Sequence, residues 1–244
     1  MNPLLFKNIV ILTGAGISAE SGIRTFRDQN GLWEEHRIED VATPEAFHRN
    51  PELVQRFYNA RRSQLKDPNV APNAAHLALA ELEKHWEGDF LLVTQNVDNL
   101  HRRAGSKNLL HMHGRLDRVR CLSCEEEFDW TEDLTVNEDC PHCGIRGALR
   151  PDIVWFGEMP HHMDEIYAAL EQADFFISIG TSGNVYPAAG FVQLAWKARK
   201  IEINMQDTEI SPAFSDHYVG LASFEVPRLV NLILNDADET TNHE

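Results

Sequence analysis

Short, largely continuous apolar runs separated by helix-length segments leave this chain few architectures. NIVILT (8–13), FLLVTQ (within 89–95), NLLHMH (108–113), DIVWF (152–156), FFISIGT (175–181) and KIEINM (200–205) are the runs. A strand solvated on one face alternates apolar with polar, whereas a strand covered on both faces stays apolar throughout. Amphipathic segments lie between several runs: ELVQRFYNARRSQL, NAAHLALAELEKHW, HMDEIYAALEQA and PAAGFVQLAWKA. EVPRLVNLILND reads as a last helix, and the polar tail ADETTNHE after it is expected to fray. The pattern predicts an α/β fold, a Rossmann-like parallel sheet with helices on both faces.

Two stretches interrupt the alternation. Residues 28–88 form a long, mainly helical excursion, and residues 115–150 hold every cysteine of the chain. The expected organisation is one domain over 1–244. Its Rossmann-like large part comprises 1–27, 89–114 and 151–236, with a helical insertion at 28–88 and a small lobe at 115–150.

Cys121, Cys124, Cys140 and Cys143 follow C-x2-C-x15-C-x2-C. Two such knuckles bring four thiolates together tetrahedrally, the set that suits one Zn2+. A closed four-thiolate site has no open position for water or substrate, so the expected metal is structural. Between Cys121 and Cys143 stand eight carboxylates and no Lys or Arg, which would repel phosphates. The whole chain repeats the bias, with 38 Asp and Glu against 22 Lys and Arg and a formal charge of −16. Nucleic acid is therefore not the expected partner; a lysine-rich protein segment is compatible. The apolar run in MNPLLFKN is too short for a secretory signal and no run could span a bilayer, so no membrane partner and a cytoplasmic location are expected.

The first strand runs straight into VILTGAGISAESGIRTFRD, where Gly14, Gly16 and Ala19 satisfy G-x-G-x-x-[GA]. At a strand-to-helix turn such glycines admit backbone close to a pyrophosphate. The acidic ribose ligand of an ordinary dehydrogenase has no place here, because the helical excursion replaces the next strand. Asn204, at the end of IEIN, occupies a comparable position later on. Gln95, Asn96, Asp98 and His101 crowd the end of a second strand, and His111 and His113 the end of a third. Strand ends of a parallel sheet line the ligand crevice, and either histidine of the pair could be a general base.

Taken together, GAGISAESGIRTFRD, TQNVDNLH, HMHG, the paired cysteines, RPDIVWFGE and GTS resemble the sirtuins, in their order and over nearly the whole chain. The resemblance is to bacterial-type members, and it implies an NAD-dependent protein-lysine deacylase with one structural zinc. It implies that Gly14, Ala15, Gly16, Ser18, Phe26 and Arg27 contact NAD, and that Gln95, Asn96, Val97 and Asp98 surround its nicotinamide ribose. Gly180, Thr181, Ser182, Asn204 and Ala222 would hold the ADP-ribose part. His113 matches the family's catalytic base, with Asn96 and Asp98 beside it as catalytic residues. VWFG (154–157), through Val154, Phe156 and Gly157, would pair with an extended acyl-lysine peptide. Asn99 and Val97 depart from the usual glycine and isoleucine without changing a polar role.

Within QRFYNARRSQL, Tyr58 and Arg61 are three apart and share a helix face. The pair resembles the Y-x-x-R of the sirtuin subclass that accepts malonyl-, succinyl- and glutaryl-lysine. A guanidinium gives a terminal carboxylate two parallel donors, and the phenol adds a third. Arg62 reads instead as solvated. The expected products are lysine, nicotinamide and O-acyl-ADP-ribose. Two alternatives remain open at this point: a mono-ADP-ribosyltransferase on the same scaffold, and a non-enzymatic acyl-lysine-binding module.

Overall fold

The computed structural model describes residues 7–23, 32–33 and 36–241. In chain order the elements are β1 (Asn8–Thr13), a 3-10 helix (Ala15–Ser21), a short hairpin of β2 (Leu32–Trp33) and β3 (His36–Arg37), then α1 (Ile38–Val41), α2 (Pro44–Arg49), α3 (Pro51–Gln64) and α4 (Ala74–His85). There follow β4 (Asp89–Thr94), α5 (Leu100–Ala104), β5 (Leu109–His111), β6 (Gly114–Cys121), β7 (Glu127–Asp129) and β8 (Leu149–Ile153). The chain continues with α6 (Met163–Gln172), β9 (Phe175–Ile179), α7 (Phe191–Leu194), β10 (Arg199–Asn204), β11 (Asp216–Val219) and α8 (Ala222–Thr241).

Six strands form one parallel sheet in the order β11-β10-β9-β1-β4-β5. Period-two alternation divides β1 between two cores. Ile9 and Ile11 pack with Leu79 and Leu82 of α4 and Leu229 and Ile233 of α8. Val10 and Leu12 face the other way, onto Ile166 and Leu170 of α6 and onto Phe191. Burial on both faces explains the continuous apolar runs. The chain order runs one way from β1 through β4 to β5 and the other way from β9 through β10 to β11. The crevice at the carboxyl ends of β1 and β9 is therefore the topological switch point, where such sheets bind ligands.

A three-stranded antiparallel sheet, β7-β6-β8, forms the base of the small lobe. Three expectations are corrected here. DIVWF is not a strand of the large sheet: only its Asp152 and Ile153 are extended, at the end of β8, which pairs antiparallel with β6 through Gly114↔Ile153 and Cys121↔Leu149. The lobe thus takes up residues placed in the large part from 151 onward. Within the expected helical insertion, α4 packs on the large sheet, while α1–α3 form a separate core of Val41, Ala42, Val54, Phe57 and Tyr58 with Leu116, Ile153 and Trp155. Finally, PAAGFVQLAWKA yields only a 3-10 turn and the four-residue α7. The edge strand β11, DHYV, has no apolar run to announce it.

Helix α3 packs on β6 and β8 of the small lobe. Asn50 caps it by accepting from Leu53 N–H at 3.1 Å, and Pro51 supplies the fixed first turn. Its buried face carries Val54, Gln55, Phe57, Tyr58 and Arg62. Arg62 is thus not solvated: its Nε donates to Leu116 O at 2.9 Å and its Nη1 to Asn59 Oδ1 at 2.7 Å. Of the three arginines, Arg56 is the exposed one, 3.8 Å from Glu52 one turn earlier.

Candidate active site

A cavity of about 460 Å³ opens at the switch point, between the large sheet and the small lobe. Its glycine wall is set by backbone contact. Gly14 N–H donates to Ile179 O and Gly16 N–H to Gly180 O, both at 2.9 Å. A Cβ on Gly16 would lie 2.6 Å from Gly180 Cα, and one on Gly14 2.8 Å from Gly180 O. The glycines thus let the turn after β1 lie against the turn after β9. The helix that follows Gly14 is a 3-10 helix, Ala15–Ser21.

Behind this wall is a buried polar knot. Asn96 Nδ2 donates to Gly14 O at 3.1 Å and to Ser18 Oγ at 3.0 Å; Ser18 Oγ–H donates to Asp98 Oδ2 at 2.9 Å. Asp98 also accepts from Leu100 N–H at 2.9 Å. Burial raises the Asp98 pKa, opposed by those two donors. His101 does not face the cavity as its strand-end position suggested. It is buried behind, its Nε2 3.0 Å from Thr13 Oγ1 and its ring 4.7 Å from that of His76.

His113 is on the cavity wall and His111 is not. Both are tied to the turn after β4, His113 Nδ1 3.0 Å from Gln95 O and His111 Nδ1 3.3 Å from Asn96 O. An Nδ1–H donating to a carbonyl leaves Nε2 as the bare, basic nitrogen. Burial lowers the His113 pKa, so the neutral imidazole is the form present near neutrality.

Tyr58 and Arg61 both line the cavity. Tyr58 is fully buried and its hydroxyl accepts from Trp155 Nε1 at 2.9 Å. Burial raises its pKa well above the ordinary phenol value, ahead of the opposing Trp155 hydrogen bond. Arg61 stacks over the Phe57 ring at 3.3 Å and donates from Nη1 to Phe57 O at 2.6 Å. Trp155 belongs to the site although the sequence pointed past it, to its neighbours. It is held by Arg150, whose guanidinium lies 3.3 Å over the indole and grips Glu158 through Nη1–Oε1 at 2.6 Å and Nη2–Oε2 at 2.9 Å. A tryptophan inside an apolar run carries no sign in sequence that its N–H points at a phenol.

Of the other expected residues, Ala15, Gln95, Val97, Gly180, Thr181, Ser182, Asn204, Val154, Phe156 and Gly157 line the cavity. Asn204 Nδ2 donates to Thr181 O at 2.6 Å. Ala222 does not line it: its methyl is buried in the core beneath α8. Phe26 and Arg27 lie outside the described residues.

The four cysteine Sγ atoms lie within 4.8 Å of one another, with Cys121–Cys143 and Cys124–Cys140 both at 3.7 Å. Thiolates at a zinc–sulfur distance of ~2.3 Å around a tetrahedral ion stand roughly 3.8 Å apart. The set fits zinc, and Cys121, Cys124 and Cys140 belong to a core with Val119, Leu134 and Leu149, while Cys143 is exposed.

A switch-point crevice in a Rossmann sheet, closed from above by a cysteine-bound lobe and holding one basic imidazole, defines a dinucleotide-dependent enzyme. The Sir2 family model matches residues 14–187, and the chain belongs to that family. A protein of Bdellovibrio bacteriovorus called NAD-dependent protein deacylase is 78% identical over 96% of this chain and 100% of its own length. The crystal structure of a Sir2 homologue–NAD complex, 40% identical, superposes with a TM-score of 0.87 over 97% of this chain and 93% of that one. A Sir2 protein bound to an acetylated peptide, 27% identical, has a TM-score of 0.79 over 95% of each chain. No helix among the described residues is long and apolar enough to cross a membrane.

Proposed function

We propose that this protein is an NAD-dependent protein-lysine deacylase acting on acetyl-lysine and on lysine carrying an acidic acyl group such as succinyl or malonyl. The observation that carries the reading is the His113–Gln95 hydrogen bond, which leaves a basic Nε2 in the same cavity as the Gly14–Gly16–Gly180 junction and the Tyr58–Arg61 pair. Gly14, Ala15, Gly16 and Ser18 would hold the diphosphate side of NAD, and Gly180, Thr181, Ser182 and Asn204 its ADP-ribose part. The close glycine junction fits such a ligand, because a Cβ at either position of the first turn would separate the two turns. NAD held there would supply an anomeric carbon from which nicotinamide can leave and to which the acyl oxygen can bond.

His113 takes up a hydroxyl proton at Nε2, with Gln95 O steadying the charge that forms on the ring. Asn96 and Asp98 hold the floor of the ribose site, fixed by Ser18. The small lobe presents the substrate backbone. The N–H groups of Val154, Trp155 and Phe156 already serve His113 O, Glu158 Oε2 and Ala42 O, at 2.9, 2.8 and 3.0 Å, so pairing with a peptide would fall to the carbonyl oxygens of Val154 and Phe156 and to Gly157. Tyr58 stays protonated throughout the neutral range and donates; Arg61 supplies the counter-charge for an acyl carboxylate.

Acetyl-lysine leaves the pair to water, at about 1–3 kcal/mol, so dual activity is consistent with the site. The deciding experiment incubates the protein with NAD and a succinyl-lysine peptide and follows products by mass spectrometry. Free lysine, nicotinamide and O-succinyl-ADP-ribose support the reading; ADP-ribose attached to protein with the acyl group intact would replace it with transferase activity.

A further inference from the structure

Glu202 is a carboxylate, 3% exposed, in the apolar strand β10. A buried carboxylate persists only where its oxygens accept hydrogen bonds. Thr208 Oγ1 donates to its Oε1 at 2.9 Å, Ser211 Oγ donates to its Oε2, and His217 Nδ1 of β11 lies 3.3 Å from Oε2. Thr208 N–H in turn donates to Ser211 Oγ at 2.7 Å. From beneath, one carboxylate thereby ties the connection between β10 and β11 into a single shape.

That connection presses on the cleft. A Cβ on Gly183 would lie 2.7 Å from Ile210 Cγ1 and 3.4 Å from Thr208 Oγ1, so the tied loop is packed directly against the turn that follows β9. Residues 180–182 of this turn line the cavity, as do Asn204 and Met205 at the start of the tied loop.

We propose that Glu202 is a positioning residue for the cofactor: through Thr208, Ser211 and Ile210 its carboxylate holds the turn at 180–183 in the shape that receives ADP-ribose. In an ordinary dinucleotide fold an acidic side chain bonds the ribose itself; Glu202 acts instead from behind the loop. The inference rests on the reading that 180–182 and Asn204 form the ADP-ribose subsite.

The test is calorimetric titration of ADP-ribose into the wild-type protein, Glu202→Gln, Glu202→Ala and Ile210→Ala, with steady-state kinetics beside it. Glu202→Ala weakens ADP-ribose about tenfold and Glu202→Gln about threefold, because an amide oxygen still accepts one hydroxyl. The KM for NAD rises in parallel, while kcat at saturating NAD and the KM for peptide stay within about twofold. If Glu202→Ala does not fold, Glu202→Gln and Ile210→Ala carry the same expectation. ADP-ribose affinity unchanged in every folded variant, or a peptide KM rising as much as that for NAD, overturns the proposal. Asn204→Ala separates the two levels. If it leaves ADP-ribose binding unaltered, the subsite reading fails; if it weakens binding while the Glu202 variants do not, only the positioning role falls.

Discussion

His113 Nδ1 and the main-chain oxygen of Gln95 are 3.0 Å apart, and that contact decides which nitrogen of the ring is basic. A base on Nε2 works only when deprotonated, and burial holds the His113 pKa below the ordinary imidazole value. Activity should therefore be complete at neutral pH and fall on acidification only below the usual imidazole range. His113→Ala should lower kcat by at least ~100-fold with far-ultraviolet circular dichroism unchanged. An acid limb at or above the ordinary imidazole pKa would remove the argument from burial.

Arg61→Met tests the acyl end. Loss of a charged hydrogen-bonding partner corresponds to about 1.5–3 kcal/mol, or roughly 10- to 100-fold in kcat/KM for a succinyl peptide. Deacetylation of the same peptide sequence should change by less than about threefold. Equal losses on both substrates would mean that Arg61 supports the lobe and does not read the acyl group.

Gly16→Ala places a methyl 2.6 Å from Gly180 Cα, backbone against backbone with no flexible side chain to yield. The expected outcome is a lower melting temperature together with lost ADP-ribose binding, measured by calorimetry. Retention of wild-type affinity would show that the two turns do not need to touch.

Zinc should be present at one ion per chain by atomic absorption. Chelation should lower the melting temperature and abolish activity together, since Cys121, Cys124 and Cys140 share a core with Val119, Leu134 and Leu149. Activity that survives complete removal of the metal would make the lobe independent of it.

Acid stability follows from His76 and His111, whose pKa values burial pushes down to about 4. Unfolded imidazoles take up protons as pH falls through ~6.5, while these two do so only near 4. Between those values the unfolded state binds more protons. Stability is thus complete above the upper value and is lost progressively toward the lower one. Melting temperatures at pH 7, 6 and 5 should decrease in that order, and a flat profile would contradict the burial of these rings.

Burial and spacing made the largest features readable along the chain. The strands β1, β4 and β9 are covered on both faces, so each is a continuous apolar run. The cysteine pairs carry their partnership in their intervals, and the glycines before and after Ala15 stand where two backbones meet. These signals are local. By contrast, β11 alternates at a sheet edge and looks like loop, and β8 (LRPDI) is buried throughout yet carries Arg, Pro and Asp, so the apolar run DIVWF that begins at its end reads as the strand instead.

What only tertiary structure decided are the relations between distant segments. Local periodicity records how deeply a residue is buried but not which neighbour covers it. So periodicity alone groups α4 with the helices before it, although it lies on the large sheet. Arg62 looked solvated, yet it caps a carbonyl of β6 from 54 positions away. The same reason hid Trp155, whose N–H reaches Tyr58 97 residues off, and Glu202, whose carboxylate matters through a loop it ties. A hydrogen bond depends on where two atoms are in space, and that arrangement exists only once the sheet, the lobe and α3 have packed together.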